Sequence, residues 1–431
     1  MVLISNNTKS KTAADNFVQH QIKSFRKTIQ PETVDFQSLN ILFLAPHPFY
    51  QDRGTPIDDC LFLRVLSENN YNVDVIAFPE GRDIELDNVK IHRTLKVPFV
   101  QGIKPGFSWK KVVYDILMIF KVIQLVLGRQ YHLIQAVEES VFIALLMKLV
   151  FGIPYVYDMD SSIAQQMIEQ MPRLKPLAGI FNWFEKIAVK NAKAVVPVCH
   201  AIADDIARYQ PEKVTILPDI SLLEDATDEV NEDIRKELNI ENQVLMYVGN
   251  LETYQGIDLL LESFALTLQK TNQLDLVIIG GDQSGIEKYQ AKSVQLGIHR
   301  KVHFLGQRPA QHLSAYLSQA DILVSPRTKG INTPMKIYSY LDSGKAVLAT
   351  DLLTHTQVLT PEISKLAQPV PEDFSQAMME LIHDPSLCAQ LGKAGQTMIQ
   401  EKHSYSAFRK TVNGLYRWLQ REIFPNQFQA G

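Results

Sequence analysis

Short apolar runs alternate along the chain with longer stretches in which apolar residues return every three to four positions, and the series occurs twice. Apolar runs of roughly four to eight residues between turn formers read as buried strands, and the longer period reads as helices packed on them. In the first half the strands fall at Asn40–Ala45, Val73–Phe78, Val89–Arg93, Leu133–Ala136, Pro154–Asp158 and Ala194–Pro197. Helices fall at Asp58–Glu68, Trp109–Leu127 and Phe181–Asn191. In the second half the strands are Leu245–Val248, Leu274–Gly280, Val302–Leu305, Ile322–Ser325 and Ala346–Thr350. Helices at Ile257–Leu268, Ile286–Leu296 and Leu313–Ser318 separate them. Such alternation predicts an α/β chain with parallel sheets. The division is a polar tail (1–38), a first Rossmann-like doubly wound domain (39–218), a second facing it across a cleft (219–404), and a last helix with its tail (405–431). That helix carries Phe408, Val412, Tyr416 and Leu419 at helical spacing, a core-packing stripe.

Three loops at the carboxyl ends of strands carry the chemistry, where a doubly wound sheet places its ligands. After Ile322–Ser325, the sequence PRTKGINTPMKIYSYLDSG places Thr333 as a helix N-cap, Pro334 in the first turn and Gly344 as the left-handed stop. Its Gly, Asn and Thr residues offer amides and a helix terminus to a phosphate, although any capped strand–helix connection shares these features. After the first strand, PHPFYQDRGTPIDD lacks the GxGxxG dinucleotide pattern, which disfavours a nicotinamide cofactor. After Pro154–Asp158, Asp158, Asp160, Ser161 and Ser162 form a polar cluster, or simply a serine-capped helix.

Composition narrows the class. With 46% hydrophobic and 21% charged residues in a 431-residue chain, the material is globular, and a net charge of -4 argues against a general nucleic-acid binder. Cys60, Cys199 and Cys388 are too scattered for a disulfide framework or zinc site, which fits a reducing cytoplasmic setting. The polar start lacks a signal peptide, and no stretch reaches the ~18 apolar residues of a spanning helix. Val112–Leu127 is interrupted by Asp115, Lys121 and Gln124.

The motifs YVGNLETYQGIDLLLESF, VIIGGD, VHFLGQ, ADILVSP and NTPMKIYSYLDSGKAVLATD, in this order and followed by a long last helix, resemble the GT-B glycosyltransferases of family 4 (glycosyl transferases group 1) from about Asn40 onward. RGTPI and YDMDSS mark a subgroup. The resemblance implies a hexose moved with retention from a UDP- or GDP-linked sugar, without a required metal or other cofactor. The second domain would hold the donor, the first the acceptor, and the last helix would cross back to the first. It implies catalytic roles for Asp160 and Lys336. Donor contacts would come from Gly54, Thr55, Gly249, Asn250, Gln255, Gly280, Gly281, Arg327, Asn332, Thr333, Pro334 and Ser339. This chain departs from the family in having Asn250 and Gln255 where an arginine and a lysine are common, Ile331 and Ser339 in place of two glutamates, and Asp160 where a histidine often stands. A catalytically inactive GT-B subunit binding a partner or sugar nucleotide is the alternative, and an epimerase of the same fold is disfavoured by the motif order.

The acceptor side offers one lead. Lys110, Lys111 and Lys121 flank the apolar residues of the Trp109–Leu127 helix, and with Arg53 and the basic segment Lys23–Lys27 they would face an anionic membrane surface. A glycolipid such as galactosyl-diacylglycerol, or a lipid-linked polysaccharide intermediate, would then be the acceptor. The enzyme would be cytoplasmic and peripheral. An ordinary helix with a solvated basic face is the competing reading.

Overall fold

The computed structural model describes residues 38–51, 54–98, 100, 102–103, 108–170, 172–223 and 232–425. The chain forms two compact units, one of residues 1–218 with 408–431 and the other of residues 219–407.

The first unit is built on strands β1 (Asn40–Pro48), β2 (Asn72–Phe78), β3 (Val89–Arg93), β4 (Leu133–Val137), β5 (Tyr155–Met159) and β6 (Ala194–Pro197), in the order β3-β2-β1-β4-β5-β6. All pairs are parallel. β1 and β4 are buried along nearly their whole length, as central parallel strands covered on both faces must be. The last helix, Tyr405–Ile423, belongs to this unit from Phe408 onward. Its stripe is core: Phe408, Val412, Tyr416 and Leu419 are buried, and the Phe408 and Tyr416 rings meet Phe62 edge-on. The Tyr416 hydroxyl donates to Gln135 Oε1 at 3.1 Å, and Gln135 Nε2 donates to Asp158 at 2.9 Å.

The second unit repeats the design with β7 (Gln243–Val248), β8 (Leu274–Ile279), β9 (Val302–Gly306), β10 (Ile322–Ser325), β11 (Ala346–Thr350) and β12 (Lys365–Ala367), ordered β12-β11-β10-β7-β8-β9. In each sheet the strand order reverses once, between β1 and β4 and between β7 and β10. A crevice opens at such a switch point beyond the carboxyl ends of the strands.

Several boundaries move. The first helix begins at Gly54 rather than Asp58, and the helix before β9 begins at Gln283, where the Asp282 carboxylate accepts from Gly285 N at 2.9 Å. The Thr333 cap is not formed. The helix spans only Lys336–Asp342 with Met335 at its cap, while Thr333 Oγ1 is buried without a hydrogen-bond partner. The cause lies in the preceding loop, where Arg327 donates to the Asn332 carbonyl and side chain and Thr354 Oγ1 donates to the same carbonyl. These bonds hold the chain away from the capping geometry. Gly344 does stop the helix in the left-handed region, at φ 71°. Among the described residues no helix is long and apolar enough to cross a membrane.

Candidate active site

In the second unit the β7 and β10 loops converge on one lysine. Lys336 Nζ stands 4.0 Å from the centre of the Tyr247 ring and 3.2 Å from Gln255 Oε1. Among the described residues it has no carboxylate partner. Burial first, and the nearby Arg327 guanidinium second, hold its pKa well below the usual lysine value. Gly249 makes room for it: a Cβ there would lie 2.7 Å from Nζ. The next glycines serve a similar end, since a Cβ on Gly280 would strike the Gly249 carbonyl at 2.2 Å and one on Gly281 would strike Leu251. Gln255 is buried, and Asn250 is exposed with its carbonyl accepting from the Tyr247 hydroxyl at 2.6 Å.

Arg327 is itself buried, donates to the Lys329 carbonyl at 2.7 Å and lies over the Tyr254 ring. Beneath the loop His355 bridges Ser325 at 2.9 Å and Thr350 at 3.0 Å, and burial pushes its pKa down to about 3. Ser339 is 1% exposed and its hydroxyl accepts from Leu222 N at 3.1 Å, so that oxygen is engaged within the fold. The second unit therefore gathers Gly249, Gln255, Arg327 and Lys336 at its switch point, with Asn332, Thr333 and Pro334 beside them.

At the switch point of the first unit the side chains are carboxylates. Thr55 Oγ1 donates to Asp160 Oδ2 at 2.7 Å, and His47 Nε2 meets Asp59 Oδ2 at 2.8 Å in a buried pair. Glu138, after β4, sits at φ 50° in the left-handed region and accepts from Ser161 Oγ with both oxygens, at 3.0 and 3.1 Å. Burial raises the pKa of Asp160, offset by Thr55 and His47. Asp59, Asp158 and Glu138 are pushed up by burial first and by Asp160 second. Asp160 is thus the charge that the other three buried carboxyls share as a neighbour. Ser162 takes the capping role, accepting from Gln165 N at 3.2 Å. The pattern reading missed His47, Asp59 and Glu138. Position was the available signal, since each follows or faces the end of a strand flanking the switch point.

The membrane-facing assignment needs correction at one residue. Lys111 does not face outward as a free cation but forms a 2.5 Å ion pair with Glu139, its side chain 18% exposed. Lys121 donates to Gln124 at 3.1 Å, Lys110 is partly exposed, and Arg53 and Lys23–Lys27 lie outside the described residues. The exposed stripe of the helix is apolar instead, with Trp109 at 63% and Phe120 at 65%.

Comparison with known proteins agrees with this geometry. Residues 61–219 match the model for Glycosyltransferase Family 4 and residues 230–398 the model for Glycosyl transferases group 1. The chain belongs to the group 1 glycosyltransferases. A D-inositol 3-phosphate glycosyltransferase of Corynebacterium efficiens is 27% identical over 57% of this chain and 58% of its own length. An alpha-D-kanosaminyltransferase of Streptomyces kanamyceticus is 21% identical over 64% of this chain and 74% of its own. Among solved structures, the sucrose-phosphate synthase of Thermosynechococcus elongatus superposes with a TM-score of 0.72 at 20% identity, covering 88% of this chain and 99% of that one. Anabaena HepE in complex with UDP-glucose gives 0.68 at 15% identity, covering 88% and 99%. These structures show that the group 1 chain has the GT-B fold.

Proposed function

We propose that the protein transfers a hexose from a nucleotide sugar to an acceptor hydroxyl with retention of configuration. The observation that carries this reading is Lys336: a buried ammonium without a carboxylate is costly unless an anion completes it. The diphosphate of a UDP- or GDP-linked sugar is that anion. Lys336 and Arg327, with the Asn250 amide and the orphaned Thr333 hydroxyl, would stabilise the negative charge that builds on the leaving diphosphate as the glycosidic bond breaks. HepE, a relative in fold, binds UDP-glucose. In the first unit Asp160, oriented by Thr55, receives sugar or acceptor hydroxyls. The test is release of nucleoside diphosphate from a panel of sugar nucleotides by the purified chain, with Lys336→Ala as control. Binding without turnover under any acceptor would favour the inactive subunit instead.

The same proposal extends to a lipid or lipid-linked acceptor presented at a membrane surface. Its support is now apolar rather than basic. On other helices of the same unit, Leu149 and Val150 are exposed at 73% and 61%, and Ile180 and Trp183 at 51% and 55%. Exposed apolar residues on three helices of one unit are what an interaction face would offer.

A further inference from the structure

Behind the carboxylate cluster of the first unit, four helices leave a pocket of about 410 Å³. Its walls are Val112, Phe142, Ile163, Met167, Phe181 and Phe184. Well-packed cores leave few voids larger than a water, and small-molecule sites start at about 300 Å³. Two features set it apart from a packing gap. The first is its mouth. Val112 and Phe184 both line the pocket and stand exposed, at 40% and 47%, and each continues into an exposed apolar stripe on its own helix: Trp109 and Ile116 on one side, Ile180 and Trp183 on the other. A pocket for a polar metabolite would have a polar entrance. Here exposed apolar side chains stand on both helices next to those that line the pocket.

The second feature is its polar lining. Asp115 Oδ1 and Glu185 Oε1 are buried with no hydrogen-bond partner, beside the Lys111–Glu139 ion pair. The other oxygen of Glu185 accepts from Ser162 Oγ at 2.7 Å, and Gln166, also in the lining, donates to Ser161, which in turn donates to Glu138. The pocket is thus wired to the Asp160 neighbourhood through the two serines of the DMDSS segment. Burial and Glu139 push the Asp115 pKa up to about 8, so at neutral pH its carboxyl is largely protonated and suits an uncharged ester or hydroxyl.

We infer that this pocket binds the aliphatic chain of a lipid acceptor, with the chain entering between the Trp109 and Trp183 stripes and its ester or hydroxyl groups meeting Asp115 and Glu185. The inference rests on the lipid-acceptor reading above and gives it a site. A lipid chain is the occupant that meets all three observations: an apolar bore, exposed apolar side chains beside it, and two buried carboxyl oxygens without partners to meet its polar end.

The experiment uses the full chain and alkyl glucosides with octyl, dodecyl and hexadecyl chains, each below its micelle concentration, and follows binding by intrinsic tryptophan fluorescence. Wild type is expected to bind saturably with a preferred chain length. Met167→Trp, which fills the bore, should weaken the preferred glucoside at least tenfold and shift preference to the shorter chain. Phe184→Ala, which widens it, should shift preference to the longer chain. Both variants should keep wild-type hydrolysis of the sugar nucleotide, which reports the second unit and the fold together. A variant that loses hydrolysis is replaced by Ile163→Phe, a smaller filling. Absence of saturable binding by wild type overturns the inference. So does identical chain preference in the filled and widened variants, since adhesion to the exposed stripes alone would not read chain length. Loss of hydrolysis in wild type would instead sink the glycosyltransferase reading.

Discussion

Lys336 Nζ lies over the face of Tyr247, 4.0 Å from the ring centre, at the one place in the second sheet where strand order reverses. The ring offers the ammonium partial compensation, on the order of 1–2 kcal/mol for a desolvated pair. That is less than the several kcal/mol a buried ion loses in leaving water. The remainder is relieved by a bound anion or by loss of the proton, the tendency that the lowered pKa expresses.

One consequence separates function from stability. Lys336→Met should leave the unliganded fold as stable as wild type or more so, because a buried amine with no carboxylate partner is replaced by an apolar chain of similar length. The same change should weaken the sugar nucleotide about 100-fold, roughly 3 kcal/mol. Thermal melts with and without ligand check both halves.

The depressed Lys336 pKa also sets a pH dependence. A diphosphate favours the charged lysine, so binding takes up a proton at any pH between the free and the bound values. Nucleotide affinity should therefore fall as pH rises through that window, and the slope should vanish in Lys336→Met. Affinity measured across neutral to alkaline pH at fixed ionic strength decides it.

How much of this was visible in the residues alone depends on the distance over which each contact acts. Strand and helix identities were legible because period and turn formers are local: β3, β6, β10 and β11 have the bounds read from the pattern. Lys336 and Arg327 could be chosen because both lie in the loop and helix start that follow β10. Three things were hidden. The Thr333 cap was a sound local signal, overridden by Arg327 and Thr354 bonds to Asn332. Lys111 read as a surface cation because its partner Glu139 lies on another element. The His47–Asp59 pair forms between residues twelve apart, at a spacing no helix or strand period marks.

Asp160 should matter to turnover far more than to folding. Asp160→Asn preserves the Thr55 contact in shape, and loss of an acid–base or sugar-binding carboxylate typically costs about 100-fold or more in rate. Unchanged kcat would remove Asp160 from the reaction. Thr55→Val should give a smaller loss, since it only orients that carboxylate.

His355 provides a stability test in the second unit. Folded, its imidazole stays neutral down to about pH 3, whereas an unfolded histidine takes up a proton near 6.5. The unfolded state then binds more protons, so stability is lost as pH falls below 6.5, at up to about 1.4 kcal/mol per unit. Urea unfolding of wild type and His355→Gln through this range should show a steeper loss in wild type, the difference in slope being the part due to His355.

The core packing of the last helix makes its own claim. Tyr416→Phe keeps the ring against Phe62 but leaves the buried Gln135 side chain without its donor, which should cost about 1–3 kcal/mol. An unchanged urea midpoint would show that this hydrogen bond adds nothing net.

The central claim is that the buried lysine at the β7–β10 switch point holds a nucleotide diphosphate. Calorimetric titration of UDP and of GDP into the full chain, in two buffers of different ionisation enthalpy, tests it most directly. The account predicts one-site binding of at least one nucleotide, with heats that differ between buffers because a proton is taken up, and loss of both the affinity and the buffer dependence in Lys336→Met. Equal affinity for that nucleotide in wild type and Lys336→Met, or binding of neither nucleotide by wild type, would contradict it.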